Sequence, residues 1–377
     1  MLKLVWLQFR LDPARTLFTA TAVAAVVAVI LVLEGFDQGL LRQLRDAVLQ
    51  RRADLIVTQA GVSNMIAARS ILPQFARAEV EAVPGVAGAH PLTGIPLIYG
   101  SHDRRTPIFL WVYQTAGGPQ RLHAGHPPTA PREIVVDRSL AVKHTLGVGD
   151  PLVISDFEFR ISGIADDAAA FFTPFAFARY DDLIDFYFES DVAADLSSFP
   201  LLSFLLVELN DGVAADAVAG RIEAAVPAGD VHLPADLAAL DVALGRTLFG
   251  PILRLLVAVA YVIGALVLAI ILFAAVSARQ REHGVLKALG FSTRFLGGAV
   301  VVEALLLTAL ALPVGIVLAL GLSRAIEVLA PLYVILPLEP VPLLRTVVAC
   351  LAFSVLGAVL PVRLIAHVDP SRVFGGT

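Results

Sequence analysis

Cysteine and lysine are scarce in this chain of 377 residues: Cys350 is the one cysteine, and Lys3, Lys143 and Lys287 are the only lysines. A single thiol excludes an intrachain disulfide, so any large domain outside a membrane is held together by its core alone. None of the three lysines follows a glycine. That excludes a P-loop, which needs Gly-Lys-Ser/Thr so that the ammonium reaches the β- and γ-phosphates. His-Glu-x-x-His and Gly-x-Ser-x-Gly are also missing, which argues against zinc-protease and serine-hydrolase chemistry. Charge is thin, at 16% of residues against 57% hydrophobic. This balance is too apolar for a water-soluble globule.

Long apolar runs are what the chain does have. Leu17 to Leu33 and Leu255 to Val276 carry no charge, Phe295 to Leu322 carries only Glu303, and Thr346 to Val362 carries none. The second run, roughly 22 residues, would span about 33 Å as a helix, against a hydrocarbon core of about 30 Å. Four transmembrane helices are therefore expected, at 17–33, 255–276, 295–322 and 346–362. The first run is longer than a signal peptide's core, and Ala20-Thr21-Ala22 lies inside it, so it reads as an uncleaved anchor. Residues 1–16, with Leu2, Leu4, Val5, Trp6, Leu7 and Phe9, suit a short interfacial helix.

Lysine and arginine in the short flanks set the orientation. Lys3, Arg10 and Arg15, then Arg279, Arg281, Lys287 and Arg294 in the 277–294 loop, then Arg363 and Arg372 in the 363–377 tail, outweigh Arg324 and Arg345 in the 323–345 loop. Both termini and the 277–294 hairpin are thus expected in the cytoplasm, and the long 34–254 segment outside. From residue 35 to 254 there are 26 Asp and Glu against 17 Lys and Arg, but long segments translocate largely regardless of charge.

The long segment alternates strand-like and helix-like stretches. Ala53–Thr58, Glu133–Asp137, Leu152–Ser155, Phe159–Gly163, Ser203–Leu209 and Val231–Leu233 read as strands, and Ala76–Ala82, Ser139–Thr145 and Asp216–Val226 as helices. An α+β domain in two lobes is expected, with the Gly/Pro-rich stretch Ala116–Pro131 as a loop or lobe junction.

Several stretches then become recognisable. Arg281-Glu282, Val285-Leu286-Lys287-Ala288-Leu289-Gly290 and Glu303-Ala-Leu-Leu-Leu307 resemble permease subunits of MacB/FtsX-type (type VII) ABC transporters. So do Val83-Pro-Gly-Val86, Ser139-Leu-Ala141 with Leu146-Gly-Val-Gly-Asp150, and Pro361-Val-Arg363 with Val368-Asp-Pro370. The Trp6-Leu-Gln-Phe-Arg10 opening and the chain length look most like the DevC-like branch. The resemblance covers essentially the whole chain, with two departures: His283 where the family usually has an aliphatic residue, and Pro313 before Gly315 where glycines are commoner. It implies an α-helical integral membrane protein of the bacterial inner membrane, with four spans and a large α+β periplasmic domain between the first two. It also implies no cofactor, a separate cytoplasmic ATPase, and a homodimer or a heterodimer with a related permease. Movement would be transmitted to the periplasmic domain, with a periplasmic adaptor protein and membrane lipids as further partners; nucleic acid is not among them. The cargo would be lipophilic or amphipathic. Regulation of a cell-wall hydrolase, or ligand sensing, stays open as an alternative.

The 277–294 hairpin is the first working part. Val285, Leu286 and Leu289 recur at helical spacing opposite Arg281, Glu282 and Lys287, an apolar stripe suited to a partner's groove. With Gly290 these residues are the expected ATPase contact, although such a loop can also serve only to fix topology. On this reading Leu286→Asp or Leu289→Asp uncouples ATP hydrolysis without unfolding the chain. Glu303 is costly inside a span and is expected either to cap or pair locally, with Arg294 or a neighbouring helix, or to lock spans two to four; a proton relay lacks a second intramembrane carboxylate. Ala20, Ala24 and Ala28, and Ala265 and Ala269, give small residues four apart that permit close helix approach. His90, His102, His123 and His126 lack framing carboxylates or cysteines for a zinc site. The acidic run Asp181, Asp182, Asp185, Glu189, Asp191 and Asp195 lacks the pattern of a calcium loop. Phe171, Phe172, Phe175, Phe177, Phe186 and Phe188 nearby read as core or as an exposed contact surface.

Overall fold

The computed structural model describes residues 13–66, 69–101, 104–189 and 201–366. The expected interfacial helix lies mostly outside these residues, as do His102, Asp191, Asp195 and the tail beyond 366. The chain forms two compact units. One takes the residues up to Gln38, Pro251–Ile326 and the residues from Ile335 onward; the other takes Gly39–Gly250 and Glu327–Val334.

Helix α1 runs from Pro13 to Leu49, well past the expected end of the span at residue 33. The reason is a change of pattern, not a break. Beyond Gly35, buried Leu40, Leu44, Ala47 and Val48 recur at helical spacing, and Arg42 and Asp46 pair one turn apart at 3.3 Å. An amphipathic segment thus continues the apolar one without a terminator.

The inserted domain is a mixed sheet with helices on its faces. Its elements in chain order are β1 (Leu55–Gln59), β2 (Leu72–Pro73), α2 (Phe75–Glu81), β3 (Val86–Ser101), β4 (Arg104–Tyr113), β5 (Leu122–Gly125), β6 (Glu133–Asp137), α3 (Arg138–His144), β7 (Pro151–Ile154), β8 (Phe157–Ala165), β9 (Ala169–Ala170) and β10 (Thr173–Arg179). Then follow α4 (Leu183–Glu189), β11 (Leu201–Leu202), β12 (Phe204–Leu209), α5 (Ala215–Ala225), β13 (Gly229–His232) and α6 (Pro234–Leu248). Eleven strands join one sheet in the order β13-β1-β12-β3-β4-β10-β6-β8-β5, with β7 on β8 and β9 on β10. The pairs β10–β4 and β6–β8 are parallel. The stretch Ala116–Pro131 is not merely a junction, because β5 within it pairs with β8. One core lies beneath α2 and α5, a second involves α3 and α4, and a third packs the end of α1 and α6 on Trp111, Phe175, Phe177 and Phe204.

The remaining unit is helical: α7 (Gly250–Ser277), α8 (Gln280–Ala288), α9 (Thr293–Leu329), α10 (Pro340–Gly357) and α11 (Val359–Ala366). With α1, four helices among the described residues are long and apolar enough to cross a membrane. Helix α9 continues through Pro313 to Leu329, so the connection to α10 is shorter than the expected 323–345 loop.

Candidate functional site

Helix α8 stands between two long apolar helices, and its end shows why Gly290 is glycine. Gly290 N–H donates to the Lys287 carbonyl at 3.1 Å and Phe291 N–H to the Leu286 carbonyl at 3.2 Å, with Gly290 at φ +93°. These are the two bonds of a Schellman motif, whose left-handed residue favours glycine. The expected apolar stripe divides into two. Leu289 is 71% exposed, and Val285 and Phe291 are exposed beside it. Leu286 turns inward and packs against the buried cluster of Val23, Leu268, Leu272 and Leu296. Leu286 is therefore part of the helical core, and Leu286→Asp cannot test a surface contact. Glu282 is exposed and Lys287 half-buried, while the side chain of Arg281 lies outside what is described.

The turn before α8 supplies the partner of the intramembrane carboxylate. Arg279 Nη1 donates to Glu303 Oε1 at 2.9 Å, with both side chains only 7% exposed. Where the sequence suggests Arg294 or a neighbouring helix, Arg279, just past the end of α7, makes the pair. Glu303 thus fastens α9 to the entry of α8.

A second polar cluster was missed in the sequence. Glu34 is 1% exposed, accepts from the Tyr261 hydroxyl at 3.0 Å and pairs with the half-exposed guanidinium of Arg345. Tyr261 and Thr346 hydroxyls are 3.2 Å apart. Beside them Gly35 accepts from Leu336 N–H at 2.9 Å, and a β-carbon on Gly35 would lie 2.7 Å from the backbone at Leu336 and Pro337. The cluster joins α1, α7 and α10. Further along, Thr308 and Ser354 hydroxyls meet at 2.5 Å, and Ser354 Oγ donates to the carbonyl of buried Cys350 at 2.8 Å.

The small residues are used inside the chain. Ala24 and Ala28 are buried, and a β-carbon on Gly315 would meet Val27 and the Ala24 carbonyl below 3.0 Å, so α1 and α9 touch nearly backbone to backbone. Gly357 abuts Ala269 in the same way. Ala20 and Ala265 are half-buried.

In the inserted domain, Arg51 is buried with its Nη1 on the Gly117 carbonyl at 2.6 Å and its Nε on the Ala47 carbonyl at 3.0 Å. Its guanidinium sits 4.5 Å above the Trp111 ring. Burial pulls its pKa down to about 9, which leaves it charged at neutral pH. Asp137 caps α3, accepting from Ser139 N–H at 2.8 Å and from Ala168 N–H at 3.0 Å, and burial raises its pKa to about 7. Asp241 Oδ2 accepts from Met65 N–H at 3.0 Å while Oδ1 has no partner among the described residues; burial raises its pKa to about 7 as well. The histidines serve separate local bonds: His90 to Thr115, His126 to the Pro127 carbonyl, and His123 beside Asp166. Among the described residues no three His, Cys, Asp or Glu side chains gather as a metal site. Phe175, Phe177 and Phe186 are core, whereas Phe188 is exposed.

Residues 16–225 match the MacB-like periplasmic core domain family, and residues 254–370 match the FtsX-like permease C-terminal family. The chain belongs to the MacB/FtsX-type ABC transporter permeases. Its relatives include the uncharacterized ABC transporter permease Rv0072 of Mycobacterium tuberculosis, 24% identical over 366 residues. Another is the uncharacterized ABC transporter permease Mb2592 of Mycobacterium bovis, 26% identical over 372 residues. Each alignment covers 96% of both chains. The crystal structure of the periplasmic region of MacB from Actinobacillus actinomycetemcomitans overlaps 49% of this chain and 90% of its own, at 11% identity and a TM-score of 0.36. The two family matches and the four apolar helices make the permease a multi-pass membrane protein with a periplasmic-type domain between its first two spans.

Proposed function

We propose that this permease, of the DevC-like branch, passes the movement of a separate cytoplasmic ATPase to its periplasmic domain, exporting or extracting a lipophilic or amphipathic cargo. In this reading it lies in the bacterial inner membrane with both termini and the α8 hairpin in the cytoplasm, acts as a dimer, and works with a periplasmic adaptor. The observation that carries the reading is the division of labour on α8. Leu286 anchors the helix to the membrane core and Arg279–Glu303 ties its entry to α9, while Val285, Leu289 and Phe291 stay exposed on a helix stopped by Gly290. A short helix held on one side and bare on the other suits a groove in a partner, and a push on it would reach α7 and α9 through the buried ion pair.

The test is recovery of an ATPase with tagged, detergent-solubilised protein, comparing wild type with Val285→Asp/Leu289→Asp. An ATPase that accompanies wild type and is lost from the variant supports the coupling contact. Recovery in equal amounts with both moves the contact elsewhere, and absence from both, with well-folded protein, removes the ATP-driven reading.

A further inference from the structure

The turn between β9 and β10 is made of two phenylalanines in a conformation that phenylalanine avoids. Thr173 pairs with Ala170, which leaves a two-residue loop, and both loop residues have positive φ, Phe171 at 48° and Phe172 at 58°. Two successive left-handed residues define a type I′ hairpin turn, where asparagine and glycine are the usual occupants. A β-carbon crowds the backbone in that region, and a phenyl ring offers no hydrogen bond to offset the strain. Such outliers persist only where their surroundings over-determine them.

The surroundings here are rings. Phe171 packs on Phe249 with centroids 5.4 Å apart; Phe172 meets the same ring edge-on at 5.7 Å and Tyr333 at 6.1 Å. Phe249 stands two residues before Pro251, and Tyr333 two residues before Ile335, the points at which the chain passes from the inserted domain to the helical unit. Gly245, one turn before Phe249, has no side chain to keep Leu44 of α1 and the Phe171 ring at a distance.

We propose that Phe171 and Phe172 are positioning residues for transport: a strained aromatic clasp that holds Phe249 and Tyr333, the two exits of the chain from the inserted domain, and that each ATP-driven cycle loosens. The proposal rests on the ATP-driven reading above. An Asn-Gly turn would form the same hairpin without strain, so phenylalanine is useful here only through its ring contacts. Turn and contacts therefore stand or fall together: with the rings engaged the left-handed backbone is enforced, and with the rings apart it relaxes. That coupling makes the clasp a two-state element, which a graded deformation is not.

Two measurements on the full chain in lipid nanodiscs test it. Phe172→Gly is introduced into the Phe249→Ala/Tyr333→Ala background, where those two rings are gone and the turn must either keep its strained backbone or give up the β9–β10 pairing, whereas glycine closes the same hairpin freely. The triple variant is expected to melt about 2–4 °C above the double variant, and a triple variant that melts at or below it overturns the strained turn. In the second, Phe172→Cys/Tyr333→Cys on a Cys350→Ser background is joined by a short bis-methanethiosulfonate reagent in the complex with its ATPase. Cross-linking is expected to lower ATP turnover by roughly fivefold or more, with recovery on reduction. An ATPase that co-purifies and ignores the cross-link overturns the clasp alone; a wild-type preparation without any ATPase removes the ATP-driven reading, and the release step with it.

Discussion

The guanidinium of Arg279 donates to the carboxylate of Glu303 at 2.9 Å, and both side chains are buried. Removing one member of such a pair strands the other charge, at a cost of about 3–5 kcal/mol, whereas replacing both by apolar residues is often neutral. Glu303→Gln and Arg279→Met are each expected to lower the melting temperature of the purified permease, and Arg279→Met/Glu303→Leu to recover most of it. If the pair also carries motion, the partner ATPase bound to the recovered double variant turns over ATP without driving transport, which a comparison of melting curves with ATPase and transport assays of the complex would reveal.

Gly290 and Leu286 make different demands on α8. Gly290→Ala forces a β-carbon into a left-handed backbone and should cost about 1 kcal/mol. Leu286→Ala removes a half-buried contact with the helical core and should cost about 2 kcal/mol. Leu289→Ala, on the exposed side, should leave the stability within about 0.5 kcal/mol of wild type. Equal losses at 286 and 289 would contradict the division of the stripe.

Tyr261 bridges Glu34 and Thr346. Tyr261→Phe leaves both without that hydroxyl and is expected to destabilise by about 1–2 kcal/mol. Thermal unfolding should show additivity between Tyr261→Phe and Arg279→Met, since Tyr261 bonds Glu34 and Thr346 whereas Arg279 bonds Glu303.

Arg51 is held by two carbonyls and an aromatic face, a fit that depends on the planar guanidinium. Lysine keeps the charge but loses the fork and the stacking geometry. Arg51→Lys is expected to destabilise the inserted domain by about 2–4 kcal/mol, and near-neutral behaviour in chemical denaturation would count against the cage.

Asp137 and Asp241 have pKa values raised to about 7 by burial. The folded state therefore binds protons that the unfolded state releases near pH 4, so stability falls as pH rises from about 4 to about 7 and levels off above it. Asp241→Asn keeps an acceptor for Met65 and never ionises. It should flatten that slope and melt no lower than wild type at pH 8, as melting curves at several pH values would show.

The sequence carried the architecture because uncharged runs and alternating strands are local signals. Glu34 escaped because the first span was closed at the first charge, whereas the helix continues on the buried spacing of Leu40, Leu44 and Val48. The β3–β4 hairpin escaped because Gly88, Pro91, Gly94, Pro96 and Pro107 interrupt the alternating strand pattern. From residue 93 onward β3 pairs only with β4, and prolines are tolerated where the far edge is free. The contact of Arg279 with Glu303 spans 24 positions and leaves no periodic trace. Phe171 and Phe172 read as core or as an exposed contact surface, because nothing in composition announces a left-handed turn.

Cys350 is the chain's sole thiol, and it lies buried against α1's partners with its own carbonyl taken by Ser354. A water-soluble maleimide should therefore find nothing to modify on the intact wild type. Every cysteine placed by mutagenesis becomes a clean reporter of which side of the bilayer it faces, and the orientation of the whole permease can be mapped residue by residue against a silent background.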